Sequence, residues 1–403
     1  MKIEEGKTSR RTFIKGLAAI SGMAAVPSVA KGGLSLKSGK DKKFIYRTLG
    51  NTGIRLPVIS MGVMNADNPR LVRAALNAGI MHLDTAGVYQ EGRNEQMIGG
   101  VIKDFPRDSY VIATKVKEKS NWRTGLFPEN ADPAEFVRKF EASLKRLGLD
   151  YVDILYLHNI VRKEAALFEP YYNALIQLKK EGKTRFIGVS THKNEVEVIR
   201  AATDSQYDVI LTAYNYQQQH REQVKTAIGR AAKAGKGIIG MKAVAGMMKK
   251  NKGSGDETGA DVKAALNWVL RDENIHTVIA GFTTFDQMET DLAVMQEMAS
   301  GAGGTTKISR PGKGEGLYCQ QCGSCLSQCP ADFDIPTMMR SYMYNYGYRN
   351  RVAAKAALAE RDLSAIACNT CDPCRVDCPM GFDIRRKVLD IARIAGIPDE
   401  FLC

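Results

Sequence analysis

The cysteines constrain this chain more than any other residue type. None of the nine precedes Cys319, and eight fall into two copies of one spacing. The first copy is Cys319-x2-Cys322-x2-Cys325-x3-Cys329-Pro330, and the second is Cys368-x2-Cys371-x2-Cys374-x3-Cys378-Pro379. A disulfide framework would spread cysteines through a short chain. Confinement to the last quarter reads instead as metal ligation in one domain. Three thiolates two residues apart curl the backbone around one face of an iron–sulfur cubane, and the fourth leaves in another direction. Zinc also takes four thiolates from C-x2-C pairs, but it rarely needs a run of four. Two copies with the same proline favour two [4Fe–4S] clusters. Cys403 has no partner by spacing and reads as a spare terminal thiol.

In two-cluster ferredoxins the fourth cysteine of each run ligates the other cluster. That resemblance implies Cys319, Cys322, Cys325 and Cys378 around one cluster, and Cys329, Cys368, Cys371 and Cys374 around the second. The gap between the runs has room for helices, so residues 317–403 resemble the α-helical ferredoxin type. Arg351–Arg361, inside that gap, is Ala-rich and helical by propensity.

Upstream, from Phe44 to Ser300, short β-branched runs alternate with longer amphipathic ones. Val58–Met61, Met81–Asp84, Tyr110–Lys115, Val152–His158, Arg185–Ser190, Val209–Tyr214, Gly237–Lys242 and Thr277–Gly281 are strand candidates. Helical patterns such as Pro133–Leu147, Pro170–Glu181 and Arg221–Ala234 lie between them. Eight βα alternations over about 250 residues predict an α/β fold, a (β/α)8 TIM barrel. Gly50-Asn51-Thr52-Gly53 predicts a hairpin before the first barrel strand. The expected organisation is an export segment at 1–30, a linker at 31–43, the barrel at 44–300, a glycine-rich linker at 301–316 and the cysteine domain at 317–403.

In such a barrel the C-terminal strand ends share one mouth. Asp84 and Tyr89 follow the second strand candidate, Lys115 ends the third and His158 the fourth. In type, order and strand these four match the catalytic tetrad of the aldo-keto reductases, and the resemblance covers about residues 44–300. It implies interconversion of a small carbonyl and its alcohol, a sugar derivative being one candidate. Tyr89 would be the proton donor, Lys115 would lower its pKa, Asp84 would hold Lys115, and His158 would orient the carbonyl oxygen.

The resemblance also implies a bound nicotinamide nucleotide, NADP(H) or NAD(H). The contacts it assigns are Ser190 and Thr191 on the fifth strand, Met241 and Lys242 on the seventh, and Gly281, Thr283, Thr284, Gln287 and Asp291 around the eighth. The chain departs from the family here. Thr191 stands where an asparagine is usual, Leu211 aligns with the family's strand-six glutamine, and Met241 with its stacking aromatic. No Lys or Arg follows Ala280 in its loop to grip a 2′-phosphate.

Ser9-Arg10-Arg11-Thr12-Phe13-Ile14-Lys15, the apolar run Gly16 to Val26 and the small residues Ser28-Val29-Ala30 resemble a twin-arginine export signal. The expected location is periplasmic or extracytoplasmic, with any nicotinamide carried out bound. The apolar run is short for a membrane span, so no integral membrane protein is expected beyond that segment. The formal charge of +13 falls by three without residues 1–30. Two clusters of about −2 each bring it to roughly +6. That argues against nucleic acid as a partner. Nicotinamide moves two electrons and each cluster one, and no flavin fingerprint is present, so a separate redox partner protein is expected. The competing class is a non-catalytic nicotinamide-binding sensor or docking module with structural clusters.

Overall fold

The β-branched runs close into a ring. A computed structural model describes residues 44–245, 257–302, 308, 312–359, 368, 371 and 373–402, without the side chains of 257–261. The expected export segment, the linker expected after it, much of the glycine-rich linker and Cys403 lie outside these.

Strands β1 (Tyr46–Thr48) and β2 (Arg55–Pro57) form the expected antiparallel hairpin. Then come β3 (Ile59–Gly62), β4 (His82–Asp84), β5 (Val111–Val116), β6 (Val152–Leu157), β7 (Thr184–Thr191), β8 (Val209–Ala213), β9 (Gly237–Met241) and β10 (Thr277–Ala280). These eight make a closed parallel barrel in the order β10-β3-β4-β5-β6-β7-β8-β9. Each starts and ends within one residue of its expected run. Helices α1 (Pro69–Asn77), α2 (Arg93–Ile102), α3 (Pro133–Leu147), α4 (Lys163–Ala166), α5 (Glu169–Lys180), α6 (Glu195–Thr203), α7 (Arg221–Lys233), α8 (Glu257–Leu270) and α9 (Phe285–Ala299) fill the crossovers and the segment after β10. Asn68 and Asp132 cap α1 and α3, each ahead of a proline at the first helical position.

The two-residue period of a strand divides the barrel's apolar residues into two layers. Val111, Ala113, Ile154, Tyr156, Val209 and Leu211 point inward, while Ile112, Leu155, Leu157 and Ile210 face the helices. The hairpin closes the floor, with Leu49 and Leu56 joining the inner layer and Asn51 donating its backbone N–H to Gly235 O at 2.8 Å. Gly188 on β7 makes room for Tyr156. A Cβ there would lie 2.5 Å from Tyr156 Cδ1 and 2.8 Å from Val209 O.

The C-terminal region holds α10 (Ile335–Tyr346), α11 (Arg351–Ala359) and α12 (Ile384–Ala392) around Phe333, Met338, Leu358, Phe382 and Val388. A second repeat accompanies the cysteines. Phe333-Asp334-Ile335 and Phe382-Asp383-Ile384 follow the two Cys-Pro pairs, each Phe enters this core, and each Asp caps the helix after it. No described helix is long and apolar enough to cross a membrane.

This region sits on the barrel mouth. Asn65, Arg123 and Gln219, which bond to it, each lie in a loop following the C-terminal end of a strand. Asn65, after β3, accepts from Asn350 Nδ2 at 2.9 Å. Arg123, after β5, pairs with Asp332. Gln219, after β8, takes Gln320 through two bonds of 3.1 and 3.0 Å and donates to Pro379 O at 3.3 Å. Between these contacts Tyr318, Met343, Tyr344 and Tyr348 pack with Tyr216, Ala245 and Trp268. The cysteine domain is therefore a roof.

Gly188→Ala is expected to destabilise the barrel by about 1–3 kcal/mol, because the new methyl meets a ring and a backbone oxygen that cannot both retreat. Urea denaturation of the two proteins would measure it.

Candidate active site

Four strand ends supply the chemistry beneath that roof. Asp84 ends β4 and Lys115 lies near the end of β5, both almost fully buried. The Lys115 ammonium pairs with Asp84 Oδ1 and donates to Thr85 O at 2.7 Å. A charge inside the barrel needs such a partner, since an unpaired one costs several kcal/mol. Tyr89 opens the short 3-10 turn Tyr89–Gly92 after β4, with Gln90 and Glu91 left-handed at φ 50° and 57°. That turn brings its hydroxyl to 3.4 Å from Lys115 Nζ. His158 follows β6, and its ring meets Tyr89 edge-on at 5.9 Å between centroids. The structure thus brings Asp84, Tyr89, Lys115 and His158 together.

One expectation reverses. Lys115 was expected to lower the Tyr89 pKa, yet the phenol is pushed well above its ordinary value, first by burial, then by the Asp84 carboxylate and Tyr344. Burial comes first and the Asp84 carboxylate, paired with the ammonium, adds to it. His158 is pushed well below its usual range, first by burial and then by the Lys115 cation, and is held neutral. Its Nδ1 is buried without a partner. Below the tetrad, His82 and the Tyr156 hydroxyl are also buried without partners, and burial with Lys115 behind it lowers His82 to about 3.

The contacts expected for the nicotinamide amide are differently engaged. Ser190 Oγ accepts from Asn159 N at 2.8 Å, and Thr191 Oγ1 donates to Lys193 O at 2.9 Å. Leu211 and Met241 belong to the inner apolar layer. The phosphate end fits better. Gly281 is open, since a Cβ there would come no nearer than 4.0 Å to any neighbour, and Thr284 caps the long helix α9. The Gln287 side chain folds back to accept from Thr283 N at 2.8 Å. Asp291 is buried on α9, and burial raises its carboxyl to about 8. Lys242 follows β9 at φ 56°, and burial followed by the Arg340 charge lowers it to about 8.

The eight described cysteines are free thiols. Cys325 is raised to about 12 by burial first, with Cys319, Cys322 and Cys378 adding to it. Cys368 is raised to about 11 by burial and then by Cys329, Cys374 and Cys371. Cys378 thus acts with Cys319, Cys322 and Cys325, a first set, and Cys329 with Cys368, Cys371 and Cys374, a second. This donor chemistry suits iron–sulfur cubanes. Among the described residues no three His, Cys, Asp or Glu side chains close around a single ion. Cys319 accepts from Gln321 N at 3.4 Å and lies in the field of Lys242, so the first set adjoins the mouth.

Sequence reasoning did not find the roof's own side chains. Tyr344 acts on Tyr89, and Arg340 acts on His158 and His192. Glu195, buried at the start of α6, holds His220 at 2.9 Å and Gln218 at 3.0 Å. The repeated Phe-Asp-Ile was the available clue to how the roof folds, but nothing in it points to the barrel.

Comparison with known proteins agrees with this geometry. Residues 61–263, just over half of the chain, match a model described as Aldo/keto reductase family, and residues 318–383 match a 4Fe-4S dicluster domain. L-galactose dehydrogenase of Arabidopsis thaliana is 29% identical over 296 residues, covering 64% of this chain and 90% of that protein. L-glyceraldehyde 3-phosphate reductase of Escherichia coli K12 is 32% identical over 173 residues, 38% of this chain and 49% of that protein. The holo form of a Bacillus halodurans aldo-keto reductase has the same fold, with a TM-score of 0.51 at 21% identity over 66% of this chain and 99% of that one.

Proposed function

The chain belongs to the aldo/keto reductase family and carries a 4Fe-4S dicluster domain; from that premise we propose that it is an exported oxidoreductase interconverting a small carbonyl compound and its alcohol. The observation that carries this reading is the meeting of Asp84, Lys115, Tyr89 and His158 under one roof. A nicotinamide nucleotide, NADP(H) or NAD(H), supplies or accepts the hydride when bound. Gly281, Thr283, Thr284, Gln287 and Asp291 would hold its phosphate and adenosine end, and Ser190, Thr191, Met241 and Lys242 would line the ring end. Neutral His158 donates a hydrogen bond to the carbonyl oxygen. Tyr89, which keeps its proton, releases it to the stronger base that develops there, and Lys115 stabilises the tyrosinate as it forms. Asp84 fixes Lys115 in the deprotonated and protonated states of the phenol alike.

The interleaved thiols support two [4Fe–4S] clusters, with Cys319, Cys322, Cys325 and Cys378 around one and Cys329, Cys368, Cys371 and Cys374 around the other. Bound clusters supply one-electron transfer, here to or from a separate redox protein. The first set adjoins Lys242 and so is the one facing the reaction. The Ser9-Arg10-Arg11-x-Phe13-Ile14-Lys15 string supports transport of the folded protein by the twin-arginine route. A second reading, a nicotinamide-binding sensor or docking module, is favoured by the engaged Ser190 and Thr191 hydroxyls and by Leu211.

Tyr89→Phe is expected to lower carbonyl reduction by roughly 10²–10⁴-fold while keeping nucleotide affinity. Assay across a panel of aldehydes and sugars decides it, and no turnover by the wild type favours the sensor reading. Cys378→Ser is expected to remove the first cluster's signal, and Cys329→Ser the second's. Iron analysis with electron paramagnetic resonance would check this, and loss of the sequence-adjacent cluster instead would refute the interleaving. Replacement of Arg10 and Arg11 by lysine is expected to keep the protein in the cytoplasm, as read by cell fractionation.

A further inference from the structure

The roof brings a charge of its own to the mouth. Arg340 lies on α10 four residues before Tyr344, so the two share a face of the helix. Tyr344 packs with the barrel cluster and acts on the Tyr89 phenol, which turns that face toward the tetrad. The Arg340 guanidinium accordingly bears on His158, His192 and Lys242, which follow β6, β7 and β9. Among the described residues the Arg340 side chain has neither an ion pair nor a hydrogen bond, and the same is true of the Lys242 side chain. His158 Nδ1 and His192 Nδ1 are buried without partners, and His158 itself is only 9% exposed. The carboxylate that acts on Lys242 is Glu195, already occupied by His220 and Gln218. Two like charges beside two neutral histidines with vacant ring nitrogens therefore lack an anion among the described residues.

A competing duty for these cations is to offset the negative charge of the first cluster. Lys242 is placed for it, because it acts on Cys319. The largest effects on Cys319 and Cys325 come from other groups, whereas the influence of Arg340 falls on the histidines and Lys242. The single planar fork of a guanidinium matches the two oxygens of a carboxylate. The long helix that suits a phosphate, α9, begins at the nucleotide end instead.

Resting on the oxidoreductase reading, we propose that Arg340, assisted by Lys242, binds a carboxylate carried by the substrate, so that the enzyme prefers small carbonyl compounds that are also carboxylic acids. The roof then selects the substrate, and the barrel acts on it.

The test is calorimetric titration of the full, cluster-loaded protein with D-glucuronate, an aldose bearing a carboxylate, and with D-glucose, its neutral counterpart. Wild type is expected to bind glucuronate at least about tenfold tighter. Arg340→Gln is expected to bring the ratio near one, and Arg340→Lys, which keeps the charge but not the fork, to retain part of it. Cluster absorption reports folding of each variant; if the glutamine variant fails to load, the reduced ratio in the lysine variant decides. Equal affinities in the wild type, or a ratio that survives both substitutions, would overturn the proposal. So would an Arg340→Gln variant whose only change is the cluster midpoint potential. Arg340-dependent binding of inorganic phosphate without binding of glucuronate would overturn it as well. Heat is read independently of turnover, so glucuronate that binds through Arg340 and is never reduced sinks the oxidoreductase reading alone.

Discussion

A parallel strand must be followed by a crossover, and a ring of parallel strands begins every crossover at the same end. That constraint organises this molecule. It gathers Asp84, Lys115 and His158 from β4, β5 and β6 although 74 positions separate the first from the last. It also gathers the loops bearing Asn65, Arg123 and Gln219 at the same end, and these are the loops on which the C-terminal region rests. Catalytic geometry and domain docking thus depend on one topological fact, the closure of β10 onto β3.

Within that frame the Asp84–Lys115 pair governs the site's electrostatics. Two opposite charges are buried where neither could stand alone, and burial, with these charges adding to it, leaves the neighbouring groups in uncharged states. Tyr89 keeps its proton, and His158, His192 and His82 stay neutral. The site is a proton store and a set of neutral dipoles rather than a constellation of free ions. Among the described residues, the unpaired cations that face it are Arg340 of the roof and Lys242 after β9.

Much of this was legible in the residues. Strand runs such as Val111–Val116 and Val209–Ala213 are β-branched and bounded by polar turns, so their ends fall where the pattern says. The tetrad is legible because strand-end positions converge by topology alone. The proposed exchange of Cys329 and Cys378 comes from the resemblance to two-cluster ferredoxins, not from the spacing itself. The roof was not legible. Its contacts join Asn65 to Asn350, Arg123 to Asp332 and Gln219 to Gln320, single polar pairs with no period between them. The upward shift of Tyr89 was not legible either, because it depends first on burial beneath the roof and then on the Asp84 carboxylate and Tyr344.

The two cysteine runs are also stitched by one side chain. Gln328 accepts from Asp377 N at 2.7 Å and donates to Asp377 O at 3.3 Å, a two-way amide clasp between the segments. With the fourth thiols exchanged across the same seam, as proposed, neither half of the region could be finished while the other is open. Iron uptake in such an arrangement would have no stable halfway stage, and the unsealed ends of a half-loaded chain would be open to proteases.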